Sequence, residues 1–328
     1  GGTTRDLRAL LTRLRAPKTI NMHDLCIVGG GGLYSKWFLP LNNKLIKSIK
    51  IPLVLYGIGY NRDFGGERLS KTQIRSIVLL NKHARLSSVR DVDTQQFLRN
   101  INLENVDVIG DPAIFLETKK VEKTTSCRSR MRIGINIAYH GWKLQSYFTQ
   151  RVIMAYVKTC KFLIQNWGAR IVYLKHTPGE DMVIKALKES LPIHVADYCP
   201  AYSLAYRFNR KLPTLPIKIG KCRPYELKHV YSTLDLVIGM HLHSAIFAFG
   251  NRVPMINVAY NLKNYSFMKF IHQGDKVVRA DRIDSEGLKK MIMCALDNSA
   301  EIKREFERLK AKLCKKQENF LKKIQSII

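Results

Sequence analysis

Short runs of consecutive apolar residues recur along the chain, each closed by a turn and followed by a helical pattern. Residues 25–28 (LCIV) run into the glycines 29–32, and 53–56 (LVLY) run into 57–60 (GIGY). Residues 106–109 end at Gly110, Asp111 and Pro112, and 133–137 run into Ala138, Tyr139, His140 and Gly141. Residues 171–174 lead to Lys175, His176, Thr177, Pro178 and Gly179; 236–238 lead to Gly239; 255–258 lead to Ala259 and Tyr260. Helical stretches such as 154–166 and 246–249 lie between them. A strand that is apolar throughout must be covered on both faces, the condition of a parallel sheet packed between helices. The pattern predicts an α/β fold with parallel sheets.

The segment 117–130 (ETKKVEKTTSCRSR) is charged and aperiodic, so it reads as a linker between a domain over 1–120 and a second over 121–299. A second irregular stretch, 202–222, reads as a surface loop. Residues 300–328 form an amphipathic helix. Ile302, Phe306, Leu309, Leu313, Phe320, Leu321 and Ile324 fall mostly three or four apart, as in a helix packing back on the body. Its other face is basic.

Length, 328 residues, agrees with two domains of ordinary size. No apolar run approaches a membrane span, and the start has no continuous apolar core of a secretory signal. The expected location is cytoplasmic. Fifty-five Lys and Arg against 26 Asp and Glu leave a formal charge of +29, spread over the whole chain rather than held in a tail. That spread suits an anionic small-molecule substrate or an anionic membrane surface touched peripherally. Nucleic acid is not expected, because zinc-finger, RNA-binding aromatic and isolated basic-helix signatures are absent. The seven cysteines are scattered without a CxxC pair and read as reduced, buried thiols.

Ligands of open parallel sheets bind beyond the carboxyl ends of the strands, so the strand-end residues are the candidates. The glycines after the first run, Gly31 and Gly32 among them, either cradle an anion with backbone N–H groups or make a tight turn. Asp91 and Asp93 in SVRDVD match a DxD pattern that holds a nucleotide diphosphate through a metal; capping of the following helix is the competing reading. Arg90 pairs with Asp111 or touches a ligand, and Asp111 caps, pairs or orients a hydroxyl. The sharpest constellation is VIGMHLHSA. His241 and His243 lie two apart at a strand-to-helix junction, on one face if the backbone is extended, and imidazole exchanges protons near neutral pH. No HExxH or third ligand accompanies them, so no metal site is assigned. Lys263, past the next strand, suits a phosphate or carboxylate.

With these segments assembled, the chain resembles the polysaccharide pyruvyl transferase family. The resemblance rests on DLCIVGGGGLYS, PLVLYGIGYN, SSVRDVDTQQFL, VDVIGDPAIFL, RIGINIAYHGW and the long stretch RPYELKHVYSTLDLVIGMHLHSAIFAFGNRVPMINVAYNLKNYSF, in order from about residue 24 to about 270. It implies two Rossmann-like domains with parallel sheets in a GT-B-like arrangement around a cleft. It also implies transfer of a pyruvate ketal from phosphoenolpyruvate to an oligosaccharide or polysaccharide, with no cofactor. His243 then matches the histidine of the family's R-L-H motif, the acid that protonates the enolpyruvyl group, with His241 beside it. Lys263, Ser244, Gly31, Gly32, Arg90, Asp111, His140 and His176 are expected on the donor side. Two departures stand out. His241 replaces the motif's arginine, and imidazole cannot grip a carboxylate or phosphate bidentately. The Asn-x-Gly-Asp strand-turn that opens many members is missing, so the first domain is expected to lack that strand. A glycosyltransferase of the same architecture using a nucleotide sugar is the alternative activity, and a non-catalytic binder of anionic polymer is a third.

Overall fold

The computed structural model describes residues 17–35, 43–62, 64, 68–118, 130–138, 147–197 and 224–328. The expected linker (apart from 117, 118 and 130), the loop at 202–222, the segment before residue 17 and His140 lie outside them. The chain divides into two compact units. The first comprises Gly1–Pro112, Asn261–Ser266 and Ala311–Ile328; the second comprises Ala113–Tyr260 and Phe267–Lys310. A single cut near residue 120 therefore does not describe the units, because two later segments return to the first.

The first unit carries β1 (Cys26–Gly29), α1 (Asn43–Ser48), β2 (Leu53–Ile58), α2 (Lys71–His83), β3 (Leu86–Val89), α3 (Val92–Arg99) and β4 (Asp107–Val108). Its strands form a parallel sheet in the order β1-β2-β3-β4. Alternation along β2 sends Leu53 and Leu55 to one face, with Ile46, Ile77 and Leu98, and Val54 and Tyr56 to the other. That second face is closed by Phe320, whose ring centroid lies 6.0 Å from that of Tyr56, and by Ile324.

The second unit carries β5 (Arg132–Asn136), α4 (Tyr147–Trp167), β6 (Arg170–Lys175), α5 (Asp181–Lys188), β7 (His194–Asp197), α6 (Pro224–Tyr231), β8 (Leu236–Gly239), α7 (Leu242–Gly250) and β9 (Met255–Ala259). After β9 come α8 (Leu262–Phe270), whose first half counts with the first unit, β10 (Val277–Arg279) and α9 (Ser285–Asp297). The six strands are parallel in the order β7-β6-β5-β8-β9-β10. This is the doubly wound order, and the winding reverses between β5 and β8, the place where ligands of such sheets bind.

The last helix, α10 (Ser299–Gln325), has the expected amphipathic character. Ile302, Phe306, Leu313, Phe320 and Ile324 are buried, but Leu321, counted in the same stripe, is 43% exposed. Phe306 meets Phe249 edge-on at 5.1 Å in the second unit. The thiols also differ from expectation: Cys160 is buried, Cys26 and Cys314 are half-buried, and Cys294 is exposed; all four are free. Among the described residues no helix is long and apolar enough to cross a membrane.

Candidate active site

The winding reversal of the second unit is organised by Asn136, the last residue of β5. Its side chain is fully buried, and its Oδ1 accepts from Met240 N at 3.1 Å, His241 N at 2.9 Å and Ser244 Oγ at 2.9 Å. One amide thus ties the end of β5 to the turn after β8. Gly239 permits this turn, since a Cβ there would meet Ser244 Cβ at 2.5 Å.

The turn after β6 contributes Glu180, also fully buried. Its Oε1 accepts from His176 N at 3.1 Å, Thr177 N at 2.7 Å, Thr177 Oγ1 at 2.9 Å and His241 Nε2 at 3.0 Å. Burial pushes its carboxyl above the usual range, and the hydrogen bonds from Thr177 and Tyr173 oppose that rise. His176 lies over the same turn, with Nε2 2.7 Å from Tyr231 Oη and 3.3 Å from Ser244 Oγ, and its ring centroid 5.2 Å from that of His241. Burial drives its pKa down to about 3, with the neighbouring His241 charge acting in the same direction. His176 is therefore neutral at physiological pH. A folded pKa below the unfolded 6.5 means that the unfolded chain binds the proton first. The stability His176 contributes is complete above about 6.5 and is lost as pH falls toward about 3. Urea midpoints from pH 7 to 4 should fall more steeply for the wild-type protein than for His176→Asn.

The two histidines of HLH do not share an extended face. His241 is extended as the N-cap of α7 and buried, whereas His243 already lies in the first helical turn and is exposed, with its ring 6.3 Å from that of Phe247. The helix begins one residue earlier than an extended pair would need. The site thus holds three imidazoles in three environments: His176 buried and neutral, His241 against a carboxylate, and His243 facing solvent. Separating acid–base groups by environment in this way allows opposite proton-transfer roles.

Sequence reading reached His176, His241, His243 and Ser244 but missed Asn136, Glu180 and Tyr231. Glu180 stands three residues after Thr177, the spacing of a capping box, here at the short 3-10 turn Pro178–Glu180 that leads into α5, and Asn136 is a polar interruption in an apolar strand; both signals were present.

In the first unit, Gly30 and Gly31 take positive φ (79° and 69°), and a Cβ on Gly32 would meet Asn61 Cβ at 2.8 Å. The glycines here make a close turn against the segment after β2, where Gly59 N donates to Gly31 O at 2.9 Å. Arg90 is buried at the end of β3. Its Nε is 3.3 Å from Asp91 Oδ2, its Nη1 3.6 Å from Asp111 Oδ2, and it lies so close to Gly59 that a Cβ there would be 2.2 Å from Nε. Of the two aspartates of DVD, Asp91 caps α3, and Asp93 lies in its first turn. Asp91 Oδ1 accepts from Thr94 N at 2.7 Å and Thr94 Oγ1 at 2.6 Å, and Asp93 Oδ2 accepts from Ser266 Oγ at 2.6 Å. Lys263 lies half-buried in the first turn of α8.

The fold is that of the GT-B enzymes. A putative UDP-N-acetylglucosamine 2-epimerase from Listeria monocytogenes matches with a TM-score of 0.59 at 14% identity, over 93% of this chain and 75% of that one. Anabaena Alr3699/HepE, solved with UDP and glucose, matches with a TM-score of 0.53 at 14% identity, over 96% and 81%. UDP-GlcNAc 2-epimerase from Methanocaldococcus jannaschii, solved with UDP-GlcNAc and UDP, gives 0.53 at 14%, over 90% and 76%. At such identities the likeness is one of fold. No curated protein matches the sequence. The chain belongs to the polysaccharide pyruvyl transferase family, which it matches over residues 3–261, and it is a transferase.

Proposed function

We propose that the protein transfers the pyruvyl group of phosphoenolpyruvate, as a ketal, to two hydroxyls of a glycan sugar. The observation that carries the reading is the family match over residues 3–261, which takes in the three-imidazole site. His243, exposed at the start of α7, donates a proton to the methylene carbon of the donor while a sugar hydroxyl adds to the neighbouring carbon. A second hydroxyl then displaces phosphate and closes the ketal. Basic side chains serve the donor's carboxylate and phosphate, and no cofactor is required. The formal charge of +29 suits an anionic donor and an enzyme working on the cytoplasmic side, close to membrane-bound acceptors.

The alternative is sugar transfer from a nucleotide sugar. It is favoured by His241, which replaces the arginine fork and is already engaged by a carboxylate. Thermal shift and calorimetry with phosphoenolpyruvate, UDP, UDP-glucose and UDP-GlcNAc separate the two. Saturable stabilisation by phosphoenolpyruvate alone is the expected result. Selective stabilisation by UDP or one of its sugars would replace ketal transfer with glycosyl transfer.

A further inference from the structure

His241 is held from two sides. Asn136 Oδ1 fixes its backbone N at 2.9 Å, and Glu180 Oε1 fixes its ring through Nε2 at 3.0 Å. Glu180 also caps the turn at Thr177, and for that task a short bond to Thr177 N suffices. The imidazole on the same oxygen is not needed by the turn. Glu180 Oε2, 3.5 Å from Asn136 Nδ2, links the two anchors.

We propose that Glu180 is the positioning residue for His241. It holds the ring through Nε2, so that His241 takes the proton of an acceptor hydroxyl as that oxygen attacks the donor. The substrate named here rests on the ketal-transfer reading; the pairing of the two side chains does not. In the first addition the hydroxyl O–H bond breaks and its proton passes to His241. The oxygen forms a bond to the phosphate-bearing carbon of phosphoenolpyruvate, and the alkene electron pair takes a proton from His243. In the second, another hydroxyl gives its proton to His243, left neutral by the first addition, and bonds to the same carbon, while phosphate leaves with the electron pair of its C–O bond and takes the proton held by His241.

The surroundings concentrate the exchangeable proton on this pair. His176, from the turn after β6, is held neutral by burial. Tyr173 on β6, Tyr156 on α4 and Tyr231 on α6 are all pushed up by burial and stay protonated. Lys175, at the end of β6, is paired with Asp181 at 2.8 Å. His243, from α7, adds a positive influence that His176 also feels. A buried carboxylate against one imidazole favours that ring's protonated form over its neighbours'.

The test is an NMR titration of histidine-labelled protein, with His241→Asn assigning the resonances. Wild-type His241 is expected as the Nε2–H tautomer when neutral. In Glu180→Gln, which keeps the acceptor for the Thr177 turn but removes the charge, its pKa should fall by about one to three units. Thr177→Val, which weakens the turn and leaves the pair, should not move it. An Nδ1–H tautomer in the wild-type protein, or an equal His241 pKa in folded Glu180→Gln, would overturn the proposal. Should Glu180→Gln not fold, the wild-type tautomer decides alone. Absence of phosphoenolpyruvate binding alongside the expected titration would remove the ketal reading and leave the pairing in place.

Discussion

His243→Ala is expected to lower the turnover of phosphoenolpyruvate in the presence of an accepted glycan by about a hundredfold to ten-thousandfold, the range over which a positioned proton donor acts. Stability should change little. The side chain is exposed in the first turn of α7, while the anchors of that turn are Asn136 and Ser244, which the substitution leaves alone. Phosphate release, followed with circular dichroism as a control for folding, makes the comparison. Near-wild-type turnover would take His243 out of the reaction and leave His241 to serve as both acid and base.

Asn136→Ala should produce the largest loss of stability of any single polar substitution in the second unit. The side chain accepts three hydrogen bonds at a fully buried position; alanine would orphan His241 N and leave Met240 N with only the Asn136 backbone O at 3.2 Å and Ser244 Oγ with His176 Nε2 at 3.3 Å. An orphaned buried donor costs about 1–3 kcal/mol, and with the two weakened bonds the sum is about 2–4 kcal/mol. For a unit of this size that is roughly a 10 °C fall in Tm. A urea midpoint equivalent to less than about 1 kcal/mol would mean that the turn after β8 is held by other contacts. His241 should lose its fixed backbone in the same variant, so donor binding should weaken even where the protein remains folded.

Sequence reading located β1, β2, β4, β5, β6, β8 and β9. Of these, β2, β5, β6, β8 and β9 lie inside their sheets and are mostly apolar, with Asn136 and Asn257 as polar interruptions. β3 escaped it because Ser87 and Ser88 break the run. Ser88 is nevertheless buried, accepting from Gly57 N at 3.0 Å and donating to Leu55 O at 3.1 Å. β7 and β10 escaped because they are short edge strands whose ends are polar, at His194, Asp197 and Arg279, so they carry no apolar run of the usual length. At the site, residues adjacent to a strand end were legible because the fold's ligand rule points there. Glu180 was less so: it reaches His241 across 61 positions of chain, and only the register of β6 against β5 and β5 against β8 brings the two turns together. The HLH geometry turned on where the helix begins, a matter of one residue that alternation cannot fix.

The return of residues 311–328 to the first unit has a consequence for how the chain is made. A ribosome delivers β1 to β4 first, and domains ordinarily fold in that order as they emerge. Here one face of the first sheet, with Val54, Tyr56, Leu86 and Ile109, finds its cover, among the described residues, in Phe320, Ile324 and Ile327, far downstream. The earliest strands therefore meet these partners only after the whole second sheet has been synthesised. The second unit, with most of its residues in one unbroken stretch, is the part equipped to fold first.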